Sequence, residues 1–187
     1  GIKFSPVDCG DEGVSDYGIA SYGVEQLQRK HDKPFFLTIG FHKPHMPWNV
    51  PRKYYDMYPL ETIQLPPSLT NDLSDVPPAG VKMAHAFRDH ARVVEAGKWK
   101  QAIQGYLAAI SFLDAQVGRV MEALKRRAFA FKHTPTIGRS HGVHAEPTTF
   151  GLKLAGWAFE VARGRERLAA ATAEIATGKI SGPVGTY

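Results

Sequence analysis

A short segment rich in histidine and proline is the first part of this sequence that could carry chemistry. In FHKPHMPW, at 41–48, His42, Lys43 and His45 lie within four residues of one another. Lysine supplies positive charge to an anion, and histidine can also give a proton to a leaving oxygen. A second interpretation stays open, in which the prolines stiffen a turn and the histidines are surface residues. Proline also excludes the helix that an H-x-x-H zinc site uses, so zinc is not expected.

A second segment, SHGVHAEP at 140–147, contains Ser140 and His141 in a loop that precedes a predicted helix. A histidine on a Gly-containing loop ahead of a helix N-terminus suits proton transfer near an anionic substrate. The alternative is a histidine that only holds the loop in place. That is the interpretation we give to His144.

The elements that must position the first segment are predicted from apolar patterning. Apolar residues at helical spacing predict a helix over 17–30. The continuously apolar PFFLTIGF, at 34–41, predicts a buried strand, central in a parallel sheet. Ligands collect at the carboxyl ends of such strands, where the first segment lies. The Pro-rich residues 42–97 predict a long, irregular and poorly ordered connection.

Two long helices are predicted in the second half of the chain. The first carries one apolar stripe, which steps by three and four residues and loses its phase at Arg127: Ile103, Tyr106, Ile110, Leu113, Val117, Val120 and Leu124. The second is predicted to begin at 146–147 and to end near 177–178. We expect the two helices to pair as an antiparallel hairpin across a loop at 132–147.

The composition is that of a globular protein. Of the 187 residues, 43% are hydrophobic and 22% charged, which excludes a disordered tail, a collagen and a disulfide scaffold. The charge of +5 comes from residues 125–187, with 10 basic and 4 acidic residues, because 1–124 carry 13 and 14. These basic residues are dispersed and predict a solvated helix face, so no nucleic acid is expected. No apolar run approaches the roughly 18–20 residues of a membrane span, so no membrane partner is expected.

Residues 1–124 resemble the sulfatase family, and within it the iduronate-2-sulfatase-like branch. The resemblance is carried by KPFFLTIGFHKPHMPW, PRKYYDMYPLETIQLPP and YLAAISFLDAQVGRVMEAL, which occur in the family's order. It implies an α/β fold like that of alkaline phosphatase, in which the histidine matching His45 contacts the sulfate and assists the leaving group. His42 and Lys43 are implied only as substrate-binding neighbours.

Several parts of a sulfatase active site do not occur in the sequence. The family's formylglycine nucleophile lies in C-x-P-S-R, whereas Cys9 lies in VDCGDEG. The upstream aspartate pair, and the strand with D-H-G or D-N that should follow Leu124, do not appear either. The resemblance implies calcium in a complete sulfatase, but these ligands are lacking here. We therefore expect no cofactor and no competent catalysis.

Residues 125–187 resemble adenylosuccinate lyase, of the fumarase/aspartase superfamily, through KHTPTIGRSHGVHAEPTTFGLKLAGW and GKISGPVGTY. Members of that family eliminate fumarate from adenylosuccinate or its carboxamide precursor in purine synthesis. The resemblance implies that His141 protonates the departing nitrogen and that Ser140, a threonine in the family motif, contacts the succinyl group. It also implies that Lys179 and Ser181 lie near the active site.

The lyase segment is incomplete as well. The flexible loop with the catalytic serine and the G-S-S-x-M-P-x-K-x-N motif does not occur, nor do the N-terminal domain and the remaining core helices. The resemblance implies that each site is built from several subunits of a tetramer. The two resemblances meet within VGRVMEALKRRAFAFK, at 117–132. The phase loss at Arg127 fits a junction there, although a helix end would look the same.

The sequence therefore predicts a helix-rich chimera, with an α/β fragment at 1–124 and a mainly α fragment of a long-helix bundle at 125–187. Its predicted function is that of a truncated sulfuric-ester hydrolase joined to a truncated fumarate-releasing lyase, without competent activity alone. The alternative is a non-enzymatic module that self-associates through its helices. The expected ligand is a sulfate ester or another small anion, and the expected assembly is a homo-oligomer through the long helices.

Overall fold

The computed structural model describes residues 2–69, 71–84 and 88–174. Its helices are α1 (Ser15–Gln28), α2 (Arg52–Tyr55), α3 (Pro78–Ala84), α4 (Asp89–Glu95), α5 (Trp99–Ala130) and α6 (Phe150–Glu174). Its strands are β1 (Phe4–Val7), β2 (Trp48–Pro51), β3 (Pro135–Ser140) and β4 (Val143–Thr149). Short 3-10 turns occupy Asp11–Gly13 and Leu60–Thr62. Helices and these 3-10 turns together account for 56% of the described residues, so the prediction of an α/β part followed by a helical part is confirmed.

The α/β part is built on a parallel pair of short strands, β1 and β2, with Phe4 opposite Trp48. A parallel pair needs a crossover connection, and this one contains α1. The core beneath the pair consists of Val14, which directly precedes α1, and of side chains from β2, α2 and α5: Val50, Tyr54, Tyr55, Ala108, Ala109 and Phe112. Because residues 48–55 belong to this core, the prediction that all of 42–97 is irregular is wrong.

Helices α1 and α5 pack together, and Arg119 of α5 joins them. Its guanidinium group donates to the Tyr17 carbonyl at 3.2 Å and to Ser21 Oγ at 2.7 Å. It also lies 3.9 Å from the centroid of the Tyr17 ring, a cation–π contact. The helix predicted over 17–30 is therefore confirmed as α1. One side chain of α5, that of Arg119, contacts both the backbone and the side chains of this helix.

The packed face of α5 differs from the predicted apolar stripe. The buried residues of this helix are Ala102, Gly105, Ala108, Ala109, Phe112, Gln116 and Ala123. Two residues of the predicted stripe, Tyr106 and Ile110, are instead 43% and 37% exposed. Small residues decide the outcome because they let the strands approach closely: a Cβ on Gly105 would lie 2.8 Å from Tyr55 Oη and 2.9 Å from Phe4 Cβ. The prediction that the stripe is the packed face is therefore wrong.

Residues 34–41 form no strand, so the prediction of a buried central strand is also wrong. The side chain of Phe36 is 93% exposed, and that of Phe35 is 51% exposed. An extended segment becomes a strand only when a neighbour pairs with its backbone. Among the described residues β1 pairs only with β2, and no strand lies beside 34–41. The segment meets α1 through Ile39, which lies against Gly23.

The predicted loop between the long helices is a β-hairpin. Strands β3 and β4 pair antiparallel, with Pro135 opposite Thr149 and Ser140 opposite Val143. Residues 146–147 belong to β4, so the prediction that the second helix begins there is wrong, and α6 begins at Phe150. Its predicted end near 177–178 lies outside the described residues.

Helices α5 and α6 pack against one another beside the base of this hairpin. The backbone N–H of Gly151 donates to the Phe131 carbonyl at 2.9 Å, and Gly151 and Leu154 are buried. The predicted pairing of the two long helices is confirmed here. Helix α5 is continuous to Ala130, so the phase loss at Arg127 marks no helix end. No helix among the described residues is long and apolar enough to cross a membrane.

Candidate functional site

Residues 42–47 form a compact turn, called the histidine turn below, which a buried carboxylate of α1 holds in place. Asp16 lies in the first turn of that helix and is completely buried. Its carboxylate accepts hydrogen bonds from the backbone N–H groups of His42, at 3.1 Å, and Lys43, at 2.8 Å. Hydrogen bonds to an ionised acceptor are shorter and stronger than neutral ones. The backbone of the turn is therefore firmly positioned relative to α1.

Both histidine side chains of the turn are exposed and lie beside one another. The ring centroids of His42 and His45 are 5.0 Å apart. The Met46 carbonyl oxygen lies 2.7 Å from His45 Nδ1 and 3.3 Å from His42 Nε2. A carbonyl oxygen only accepts, so each of these nitrogens must carry the hydrogen. The other nitrogen of each ring becomes a donor to an external anion only when the ring is protonated.

The side chain of Lys43 is turned into the protein. The residue is 7% exposed, and its ammonium group donates to the Pro47 carbonyl. Burial lowers the pKa of Lys43, while the nearby Asp16 carboxylate acts in the opposite direction. Of the three residues predicted to bind substrate in this segment, Lys43 is therefore buried, whereas His42 and His45 are exposed.

A second carboxylate of the α/β part, Asp11, belongs to a polar cluster. It accepts a hydrogen bond from Tyr54 Oη at 2.8 Å and lies 2.8 Å from Lys53 Nζ. Burial raises the pKa of Asp11, but hydrogen bonds from Lys53 and Tyr54 outweigh this and lower the pKa below its usual value. Burial, and then the hydrogen bond to Asp11, raise the pKa of Tyr54. Gln116 of α5 is completely buried beside this cluster and also lowers the pKa of Asp11.

Sequence reasoning missed both Asp11 and Asp16. One signal was present, because acidic residues are favoured in the first turn of a helix, where Asp16 lies. That signal predicts a carboxylate that serves its own helix. It does not predict that the carboxylate binds residues 42 and 43, which lie far along the chain.

Ser140 and His141 lie at the tip of the β3–β4 hairpin, and both are exposed. His141 and Gly142 form its two-residue turn, with φ of 48° and 76°, and turns that match the strand twist require positive φ at both positions. His141 is separated from Phe150, the first residue of α6, by the whole of β4. The predicted placement of His141 ahead of a helix N-terminus is therefore wrong, and its role in proton transfer stays a prediction.

The structure does not bring the two predicted sites together. Trp48, directly after the histidine turn, has its ring 5.4 Å from that of Tyr106 in the first part of α5. From Tyr106 to Ala130 the helix advances about 36 Å, at roughly 1.5 Å per residue, and the hairpin follows its end. Lys179 and Ser181, predicted to lie near the lyase site, are outside the described residues.

The described side chains do not fit the calcium ion that the sulfatase resemblance implies. No group of three or more His, Cys, Asp or Glu side chains that could hold a metal occurs in 2–69, 71–84 and 88–174. The Asp16 carboxylate is engaged with backbone N–H groups, and that of Asp11 with Lys53. Cys9 is exposed in the segment that follows β1.

Two family models match the chain, and their matches overlap. The model described as sulfatase matches residues 2–129, and the model described as lyase matches residues 84–187. Each match covers more than half of the chain. The shared residues, 84–129, contain nearly all of α5.

Individual relatives support both matches. A sulfatase of Formosa agariphila is 38% identical over 147 residues, which make up 77% of this chain and 29% of that protein. The adenylosuccinate lyase of Synechocystis sp. is 48% identical over 81 residues, 43% of this chain and 19% of the lyase. That of Thermotoga maritima is 63% identical over 57 residues, 30% of this chain and 13% of the lyase. The chain thus spans under a third of the sulfatase and under a fifth of each lyase.

The structure has two parts: an α/β unit with an exposed histidine turn, and then long paired helices. This is the arrangement expected when a hydrolase-like segment is joined to a lyase-like one. The chain belongs to the sulfatase family over residues 2–129 and to the lyase family over residues 84–187. Both resemblances are confirmed, and the alternative of a non-enzymatic helical module is not favoured. A junction at 117–132 stays a prediction.

Proposed function

We propose that the sulfatase-like part binds a sulfate group, or a small anion of the same shape, without hydrolysing it. The observation that carries this proposal is the anchored histidine turn. Asp16 holds its backbone, while His42 and His45 remain exposed with their ring centroids 5.0 Å apart. In this proposal the nitrogen of each ring that does not face the Met46 carbonyl donates to the anion when the ring is protonated.

The protonation of the two rings sets the conditions for binding. The Met46 carbonyl takes one hydrogen from each ring, so a second hydrogen is needed for a bond to the anion. Lys43 lies between the two histidines in the sequence, and the Asp16 carboxylate offsets the charge of its ammonium group.

Binding without turnover follows from the catalytic groups that the sequence lacks. Covalent sulfatase chemistry requires a nucleophile that is activated and correctly placed. The C-x-P-S-R motif that carries it does not occur, and Cys9 lies in the unrelated VDCGDEG. In this proposal His45 therefore binds the sulfate group, but it protonates no leaving oxygen because no sulfate ester is cleaved.

Titration of the full chain with sodium sulfate, followed through the histidine ring signals in NMR spectra, tests the proposal. We expect sulfate to shift the signals of His42 and His45, and we expect His45→Ala to abolish binding. The matched control is His144→Ala, an exposed histidine of the hairpin, which should bind sulfate like the unmodified protein. Unchanged affinity in His45→Ala contradicts the proposal, and so does hydrolysis of 4-nitrophenyl sulfate.

A second proposal concerns the lyase-like part. We propose that the hairpin tip supplies His141 and Ser140 to a lyase site completed by other subunits, with Lys179 and Ser181 as further contributors. The exposed position of His141 and Ser140 at the end of two paired strands supports this, because an exposed tip is accessible to another chain. The relatives named adenylosuccinate lyase suggest the reaction, a release of fumarate.

Complementation tests this second proposal. The Thermotoga maritima lyase is prepared with alanine in place of the histidine that aligns with His141, and is refolded together with this chain. We expect partial recovery of fumarate release, and we expect none when this chain carries His141→Ala. No recovery with the unmodified chain would contradict the proposal, whereas this chain incubated alone should release no fumarate.

A further inference from the structure

The first residue of β2, Trp48, reaches back to the histidine turn through its side chain. Its indole Nε1–H donates to the Pro44 carbonyl at 2.7 Å. This carbonyl belongs to the peptide group that leads into His45, and the N–H of the same peptide group donates to the His42 carbonyl at 3.0 Å. Both polar atoms of the peptide group are therefore hydrogen-bonded, which fixes the direction of the backbone at His45.

Trp48 is itself held firmly. Its backbone N–H donates to the carbonyl of Lys3, directly before β1, at 2.9 Å. Its carbonyl accepts a hydrogen bond at 2.6 Å from Oη of Tyr55, a residue of the core. Its ring meets that of Tyr106 edge to face, with the centroids 5.4 Å apart. Trp48 therefore connects the histidine turn to the strand pair and the core, whereas Asp16 connects it to α1.

The two connections act on different halves of the turn. Asp16 accepts from the backbone N–H groups of His42 and Lys43, at the start of the turn. Trp48 donates to the carbonyl that directly precedes His45. Groups that are held in place before a ligand arrives bind it more tightly, because less freedom is lost on binding. Of the two exposed rings, that of His45 therefore depends on Trp48.

We infer that Trp48 is a positioning residue of the anion site, which acts through His45 and raises the affinity of the histidine turn for sulfate. The inference rests on the proposed function, since it concerns the same anion. Trp48 makes no contact with the anion in this role. Phenylalanine in its place keeps a ring for the contact with Tyr106 but has no N–H to donate to the Pro44 carbonyl.

Thermodynamic linkage supplies a readout that a purely structural role would not move. If the hydrogen bond from Trp48 favours sulfate binding, sulfate must favour that hydrogen bond by the same factor. Sulfate should therefore slow the exchange of the Trp48 indole hydrogen with solvent. The indole hydrogen of Trp157, a half-exposed residue of α6, serves as the control and should exchange at an unchanged rate.

Titration of the full chain with sodium sulfate, followed through the His42 and His45 ring signals in NMR spectra, tests the inference. We expect Trp48→Phe to weaken sulfate binding about three- to tenfold, the effect of losing one hydrogen bond. The matched control, Trp157→Phe, should bind sulfate like the unmodified protein. Circular dichroism shows whether both variants fold. If Trp48→Phe does not fold, the indole exchange of the unmodified protein decides.

Failure of the proposed function and failure of the inference give different results. If sulfate shifts neither histidine signal in the unmodified protein, the proposed function is wrong and the inference is overturned with it. If sulfate binds but a folded Trp48→Phe binds it equally tightly, only the inference is overturned. The same holds if sulfate binds without slowing the exchange of the Trp48 indole hydrogen.

Discussion

The carboxylate of Asp16 accepts a hydrogen bond from the backbone N–H of Lys43 at 2.8 Å, across 27 positions of sequence. The same carboxylate accepts from the backbone N–H of His42. Because Asp16 is completely buried, water has no access to replace it as the acceptor. The candidate anion site is therefore attached to the first helix through one side chain.

Removal of this carboxylate should destabilise the protein and its anion site together. We expect Asp16→Ala to lower the free energy of unfolding by about 2–6 kcal/mol, because two backbone N–H groups lose their acceptor and each costs about 1–3 kcal/mol. Urea denaturation followed by circular dichroism measures the change. Sulfate affinity at the histidine turn should fall as well.

The control for this prediction is Asp114→Ala, an exposed carboxylate on α5. Its free energy of unfolding should change by no more than about 0.5 kcal/mol. A milder variant, Asp16→Asn, keeps one acceptor oxygen without the negative charge and should lower the free energy of unfolding less than Asp16→Ala does. Equal stability of Asp16→Ala and Asp114→Ala would contradict the anchoring role.

Asp11 should make the stability depend on pH. Its pKa in the folded protein is lowered from the usual 3.8, since the hydrogen bonds from Lys53 and Tyr54 outweigh burial. A lowered folded-state pKa contributes stability above the unfolded pKa, and this contribution is lost as the pH falls through the folded one. We expect Asp11→Asn to lower the free energy of unfolding by about 1–3 kcal/mol at pH 7.

Denaturation at several pH values checks this prediction. The difference between Asp11→Asn and the unmodified protein should shrink as the pH falls below about 4, where the unfolded carboxyl group begins to take up its proton. The matched control is Asp8→Asn, which removes an exposed pair with Arg52 and should change the stability little at any pH. A difference for Asp11→Asn that is the same at pH 7 and pH 2 would refute the linkage.

Two glycines of α5 should respond in opposite ways to alanine. A Cβ on Gly105 would lie 2.8 Å from Tyr55 Oη and 2.9 Å from Phe4 Cβ, so the strands would have to move. Gly118, on the same helix, has no such atom within 4 Å. Alanine favours a helix interior by about 0.8–1 kcal/mol over glycine. We expect Gly118→Ala to stabilise by about that amount and Gly105→Ala to destabilise by about 1–3 kcal/mol, both measured by urea denaturation. If Gly105→Ala stabilised the protein as Gly118→Ala does, the close approach of Phe4 and Tyr55 to Gly105 would be disproved.

The surface of α6 predicts self-association through the long helices. Leu152 and Phe159 are 65% and 63% exposed, and both line a mainly apolar groove of about 510 Å³ between α6 and the end of α5. Exposed apolar patches of this kind mark interaction surfaces. We expect sedimentation equilibrium to show a concentration-dependent oligomer. The double variant Leu152→Lys with Phe159→Lys should shift it to monomer, whereas Glu160→Lys should not. A monomeric unmodified chain would remove the prediction.

Local features of the chain were predictable to a useful degree. The helix at 17–30 and the two long helices were expected because apolar periodicity depends on residues a few positions apart. The hairpin was not expected. A loop was predicted there because the segment is rich in glycine and proline, but β3 and β4 themselves contain these residues, and His141 and Gly142 form the two-residue turn between them.

The candidate site divides in the same way. His42, Lys43 and His45 were recognised from their types, their spacing and the sulfatase resemblance, all of which are properties of the sequence. The orientation of Lys43 into the protein was not predictable, and neither was the part of Asp16. Both depend on the contact between α1 and the histidine turn, which no local pattern describes.

By itself the sequence determined the helical content, the two family segments and the residue types at each site. Only the tertiary structure decided which face of α5 is buried, because the small residue Gly105 lets β1 and β2 approach more closely than the larger apolar side chains allow. It also decided that 34–41 form no strand, since pairing needs a neighbouring backbone. These outcomes depend on groups far apart in the chain, and their relative positions are set by packing rather than by local preference.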